Sequence, residues 1–159
     1  MADAANAQRA LATVEAFFKE KSLRYEPIEG RDAFRIGFQI DNGDVRCIAH
    51  VDSSLEVFTW YTYFPTNVPD QFRNEVASFL TRANYGLTIG NFEMDYSDGE
   101  VRFKVSMDFA GNQLVPMQVG NTISTSLQTV DRYLPGMMSI IYGGKTAEQA
   151  CADVEKKQG

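Results

Sequence analysis

Two runs of alternating residues, joined by a short polar turn, constrain this chain more than any other feature. In FRIGFQI, Phe34, Ile36, Phe38 and Ile40 fall on one side of an extended backbone, and Arg35, Gly37 and Gln39 on the other. DNGD follows, with Asn42-Gly43 as a tight-turn signal. Val45, Cys47, Ala49 and Val51 then alternate with Arg46, Ile48 and His50. A helix cannot segregate such a pattern, so both runs are read as strands of a half-buried hairpin. After DSS, a third strand is expected over Leu55 to Phe64, LEVFTWYTYF, completing an antiparallel meander. A second hairpin is expected from Phe92, Met94 and Tyr96, the turn SDG, and Val101, Phe103, Val105, Met107 and Phe109.

Elsewhere the apolar spacing turns helical. A first helix is expected from about Ala5 to Lys21, capped by Asp3, with Ala10, Val14, Phe17 and Phe18 on its apolar stripe. LRYEPIEG is an extended piece in which Pro27 suits an edge. A helix should start near Pro69 and bury Phe72, Val76, Phe79, Leu80 and Ala83. Another should run from Pro116 to Leu134, with Pro135-Gly136 interrupting it. The last should begin near Thr146. The expected fold class is α+β: an antiparallel sheet of five to six strands packed with helices, in the order α-β-β-β-α-β-β-α-α. With 159 residues, one domain over 1–159 is expected, frayed at 1–4 and 157–159. A chain of that size buries roughly 70% of its unfolded surface and needs no metal or disulfide to fold. One echo stands out: IDNGDVRCIAHVD at 40–52 resembles MDYSDGEVRFKVSMD at 94–108. Duplication and convergence on turn chemistry explain it equally well.

Charge narrows the partners. The net charge is -6, and the longest basic run near the end is Lys156-Lys157. Counterion release from phosphates needs clustered Lys and Arg, so nucleic acid and anionic membrane surfaces are disfavoured. The N-terminal segment lacks a long apolar core, which points to the cytoplasm. Cys47 and Cys151 form no metal-like pair and are read as reduced, small hydrophobes. No cofactor is expected.

Three chemical motifs invite and then resist a catalytic reading. Gly143-Gly144-Lys145-Thr146 matches the end of a phosphate-binding loop, G-x-x-x-x-G-K-[ST]. The position of the first glycine is Ser139, and Ile140, Ile141 and Tyr142 read as packed residues. Thr146 and Gln149 instead form a capping box, a cap worth roughly 1 kcal/mol, although an N-terminus of this kind also attracts anions weakly. DNGDV and DYSDGE depart from the calcium-loop pattern in spacing and in their strand flanks, and read as hairpin turns. His50 lies near Asp52 and Ser53 only in sequence, which makes no triad. The remaining feature is VFTWYTYF. Phe58, Trp60 and Phe64 share one face, and Val57, Tyr61 and Tyr63 the other, with Leu55 and Ile48 alongside. If the first set packs on the helices, then Leu55, Val57, Tyr61, Tyr63 and Ile48 make a protein-binding patch. The competing reading is that a loop or helix of this chain covers them.

Three further stretches, VPDQFRNEVASFLTRAN at 68–84, GNFEMDYSDGEVRFKVSMDF at 90–109 and VDRYLPGMMSIIYGGKTAEQACADVE at 130–155, carry a resemblance to the YbjN family. VEAFFKEKSLRYEPIEG fits that family's opening helix and strand. The resemblance implies a type III secretion chaperone-like fold, no catalytic residues, and a binding role like that of dimeric chaperones that hold extended partner segments. The functional expectation is therefore a non-catalytic protein-binding module, chaperone-like or regulatory, homodimeric, with an unknown protein partner. The alternative is a small-molecule sensor or enzyme with a pocket between helices and sheet.

Overall fold

The computed structural model describes residues 3–156. Helix α1 spans Ala4–Glu20, and the Asp3 carboxylate accepts from the Ala5 N–H at 2.9 Å, the expected cap. Strands β1 (Tyr25–Pro27), β2 (Ala33–Ile40), β3 (Gly43–Asp52) and β4 (Val57–Tyr63) follow. A 3-10 turn at Asp70–Phe72 leads into α2 (Arg73–Gly86), so Pro69 precedes a tight turn and the α-helix itself begins four residues later. Strands β5 (Asn91–Met94) and β6 (Val101–Asp108) form the second hairpin, and α3 (Pro116–Gly143) and α4 (Ala147–Lys156) complete the chain. The fold is α+β, as expected, with one six-stranded antiparallel sheet in the order β1-β2-β3-β4-β6-β5. The sixth strand is β1, at an edge where Pro27 lacks only a donor that the edge does not need. The fraying expected at 1, 2 and 157–159 lies outside the described residues; Asp3 and Ala4 are the cap and first residue of α1.

All four helices join one core on one face of the sheet. Val45, Cys47, Ala49 and Val51 of β3, Phe58 and Trp60 of β4, and Val101, Phe103 and Val105 of β6 are buried there. Phe18 of α1 packs edge-on against Trp60 and Phe34, with centroids 6.4 and 5.8 Å away. Such edge-to-face pairs add about 0.5–1.5 kcal/mol each beyond their buried area. Thr62 is tolerated in this core because its hydroxyl accepts from the Trp60 indole at 2.9 Å and from the Cys47 thiol at 3.6 Å. Both cysteines are free and buried. Among the described residues no helix is long and apolar enough to cross a membrane.

Two expectations fail for identifiable reasons. The third strand starts at Val57; Leu55 sits in the preceding turn, because Asp52 Oδ1 accepts from the N–H groups of Ser54 and Leu55 at 2.9 and 3.0 Å and curls the chain there. Pro135-Gly136 does not interrupt the helix. α3 runs through both residues. Proline removes the N–H that would bond the Asp131 carbonyl, and a side chain from the β2–β3 turn replaces it. Asn42 Nδ2 donates to the Asp131 carbonyl at 3.0 Å and to its Oδ1 at 2.9 Å, while the Asn42 N–H reaches Oδ1 at 2.8 Å. Gly136 lets α3 approach α2 closely: a methyl there would lie 2.6 Å from Phe79 Cζ.

Candidate interaction surface

Among the described residues the sheet face opposite the helices stays open. Arg35, Gly37, Gln39, Arg46 and Ser106 along it are exposed. Its central row comes from β4, whose alternation turns Phe58, Trp60 and Thr62 inward and Val57, Thr59, Tyr61 and Tyr63 outward. The register gives the sequence echo a geometric meaning, since β3 and β6 flank β4 in equivalent alignment. Arg46 and Arg102 both face Tyr63, Ile48 and Lys104 both face Tyr61, and Asp52 and Asp108 both face Val57. The two Val-Arg dipeptides therefore place an arginine on either side of one tyrosine.

Those arginines lie over the aromatic rings. Arg102 Cζ is 4.2 Å from the Tyr61 centroid, and Arg46 Cζ is 4.7 Å from that of Tyr63. The two rings are 6.2 Å apart. Glu93 on β5 accepts from Arg102 Nε at 2.8 Å and from Lys104 Nζ, and Glu100 meets Arg46 at 3.4 Å. Burial works against ionisation of Glu93, but the hydrogen bonds from Lys104 and Arg102 outweigh it and hold the carboxyl below its ordinary range. Burial likewise opposes the Arg102 charge, and its bonds to Glu93 and Tyr63 raise its pKa in spite of it.

Of the five expected patch residues, Ile48, Val57, Tyr61 and Tyr63 share this face. Leu55 stands at its end in the turn, 64% exposed. Ile48, Val57 and Tyr61 are half-buried, while Tyr63 is 8% exposed. Arg46 and Arg102 lie against the tyrosines; the sheet face carries its own polar layer. The sequence reading missed these cations and Glu93, and the repeated Val-Arg pair was the available signal.

The other motifs resolve structurally. Thr146 Oγ1 accepts from the Gln149 N–H at 3.2 Å and Gln149 Oε1 from the Thr146 N–H at 3.1 Å, so the capping box is present. Glu75 on α2 accepts from the Ala147 N–H, and Lys145 pairs with Asp153. The weak anion affinity considered for this N-terminus is thus met by the protein's own carboxylate. In the β5–β6 turn, Asp95 Oδ1 accepts from the Ser97 N–H at 2.8 Å, and Asp98 Oδ1 from the Glu100 N–H at 2.9 Å. Gly99, at φ 78°, presses on the Val68 backbone, where a methyl would lie 2.1 Å from the Val68 carbonyl oxygen. Among the described residues no group of three or more His, Cys, Asp or Glu could hold a metal ion. His50 borders a surface depression of about 320 Å³ with Arg31, Asp32 and Asp52. Between helices and sheet, Phe18, Phe58, Trp60, Tyr133 and Met137 fill the space. Larger depressions lie at the surface: about 720 Å³ beside Asn6, Glu56 and Asn112, and about 520 Å³ between α2 and α4.

A family model described as "YbjN: Putative bacterial sensory transduction regulator" matches residues 10–138. No curated protein matches the chain in sequence. Among solved structures, YbjN from E. coli, described as "a putative transcription regulator", superposes with a TM-score of 0.56 at 9% identity, covering 76% of this chain and 85% of that one. A chain of the HopA1-SchA chaperone-effector complex superposes with a TM-score of 0.53 at 12% identity, covering 79% of this chain and 92% of that one. At these identities the two structures show a shared fold.

Proposed function

The chain belongs to the YbjN family, and we propose that it works as a non-catalytic protein-binding module, chaperone-like or regulatory, whose open sheet face receives the partner. The observation that carries this reading is the open face itself. Ile48 and Tyr61 lie half-buried at its centre, beside Arg46, Arg102 and Lys104, and Val57 and the projecting Leu55 continue it to one end. Tyrosine and arginine are the residue types that dominate binding energy at protein interfaces, and arginines stacked on rings are already held in place before a partner arrives. One fold relative comes from a chaperone-effector complex, which supports a binding role for the same architecture here. The homodimer expected from the sequence belongs to this proposal, and light scattering on the purified chain tests it.

The partner-binding reading is tested by capture from the native host with the wild-type chain and with an Ile48→Lys/Tyr61→Ala variant of unchanged melting temperature. A protein retained by the wild type and lost from the variant is the expected result. Equal retention by both would remove the sheet face as the binding surface.

A further inference from the structure

We propose that Asn42 is a site of spontaneous covalent modification, and that its deamidation turns the clamp between the β2–β3 turn and α3 into a repulsion. The inference is independent of the partner-binding reading. Asn42 is exposed in a two-residue turn, since Ile40 and Gly43 are paired across it. It is followed by Gly43, the residue type that leaves a backbone amide least hindered. In deamidation the Gly43 nitrogen loses its proton to hydroxide or water and attacks Asn42 Cγ. A C–N bond forms, the Cγ–Nδ2 bond breaks, and ammonia leaves. Water then opens the cyclic imide at one of its two carbonyls, giving aspartate or isoaspartate at position 42. One water enters and one ammonia departs, with no change of oxidation state.

The structure contributes a guard and a consequence. The guard is the set of hydrogen bonds from Asn42 to Asp131: Nδ2 to the carbonyl at 3.0 Å and to Oδ1 at 2.9 Å, and the backbone N–H to Oδ1 at 2.8 Å. They turn the side-chain amide toward α3, so cyclisation requires the clamp to open first. The consequence follows from Pro135. The Asp131 carbonyl lacks its regular helical donor, because residue 135 has no N–H. A carboxylate at position 42 removes the side-chain donor that serves this carbonyl, and it sets a second negative charge against the Asp131 carboxylate. Isoaspartate also lengthens the backbone by one carbon and shifts Gly43 out of its pairing with Ile40. The Asn-Gly dipeptide thus joins a chemical clock to the contact that keeps a proline inside the longest helix.

The test follows the peptide containing Asn42 by mass spectrometry during incubation in mildly alkaline buffer. Three samples are compared: the folded wild-type chain, the wild-type chain in urea, and folded Asp131→Ala. Modification should be fastest in urea, and in folded Asp131→Ala roughly tenfold faster than in the folded wild type, the opening factor for losing the two exposed hydrogen bonds to Oδ1. Equal rates in the two folded proteins would overturn the guard. In parallel, Asn42→Asp should melt several degrees below wild type. The double variant Asn42→Asp/Asp131→Asn should recover the part of the loss that comes from charge repulsion, because the side-chain amide then placed on α3 can donate to the new carboxylate in the turn. Should Asp131→Ala not fold, this pair decides the matter. An Asn42→Asp protein as stable as wild type, or no recovery in the double variant, would overturn the proposal.

Discussion

Gly136→Ala separates two opposed expectations by sign. In an exposed helix interior, alanine is more favourable than glycine by up to about 1 kcal/mol. Position 136 is not such a site. A methyl there would lie 2.6 and 2.8 Å from Phe79 Cζ and Cε2, and 3.1 Å from Val154 Cγ1. Carbon atoms in contact sit about 3.5–4.0 Å apart, so the Phe79 ring must retreat by roughly 1 Å. It has nowhere to go: Phe79 is fully buried and packs edge-on against Tyr133, with centroids 6.1 Å apart. Overpacking costs about 1–3 kcal/mol in general, and where the ring cannot yield the cost falls in the upper part of that range, about 2–3 kcal/mol; less about 1 kcal/mol of propensity, the net loss is about 1–2 kcal/mol. For a chain of this size each kcal/mol lowers the melting temperature by about 2–4 °C, giving a fall of about 2–8 °C. Thermal and urea unfolding followed by circular dichroism would measure it. The matched control is Gly86→Ala at the end of α2, where an added methyl meets nothing within 4 Å and stability should hold or rise. A Gly136→Ala protein as stable as wild type would refute the claim that this glycine is required by close packing of α3 on α2.

Other consequences follow from the same contacts. The Glu93 carboxyl titrates below its ordinary value of 4.5, so its contribution to stability is complete above that pH and is lost as the pH falls through the depressed value; Glu93→Gln should flatten this acid limb of the stability profile. Burial raises the Cys47 thiol to about 12 and the Cys151 thiol to about 11, so a thiol reagent at mildly alkaline pH should label neither in the folded protein and both in urea. Thr146→Ala should cost about 1 kcal/mol through loss of the α4 cap, read as a lower urea midpoint with an unchanged slope, and millimolar nucleotide should leave the wild-type melting temperature where it is.

What could be read from sequence, and what could not, divides by range. Alternation in β2, β3 and β6 depends on which residues neighbour one another, and those strands formed where the pattern put them. The Asp3 cap and the Thr146/Gln149 box are set by spacings of two and three residues, and both are present. Pro135 misled the reading because its missing hydrogen bond is replaced from Asn42, 89 positions from Asp131. Leu55 misled it because a turn held by Asp52 overrides a β-prone stretch. The apolar patch was legible as alternation, but its polar cover was not. Arg46 reaches Tyr63 from the adjoining strand of the meander, but Arg102 reaches Tyr61 only because β6 inserts beside β4 and leaves β5 outside, an order that no local pattern encodes. The echo of 40–52 in 94–108 held that information as a repeat, and only the register showed its use.

The open sheet face is most directly tested by where a partner touches the chain. A photo-crosslinking amino acid is placed in the native host at position 55, where Leu55 is 64% exposed at the end of that face, and separately at position 85, where Tyr85 is 96% exposed on α2. Crosslinks to one and the same protein from position 55, and none to it from position 85, are the expected outcome. Crosslinks to a partner from position 85 with none from position 55 would contradict the account and move the binding surface to the helical side.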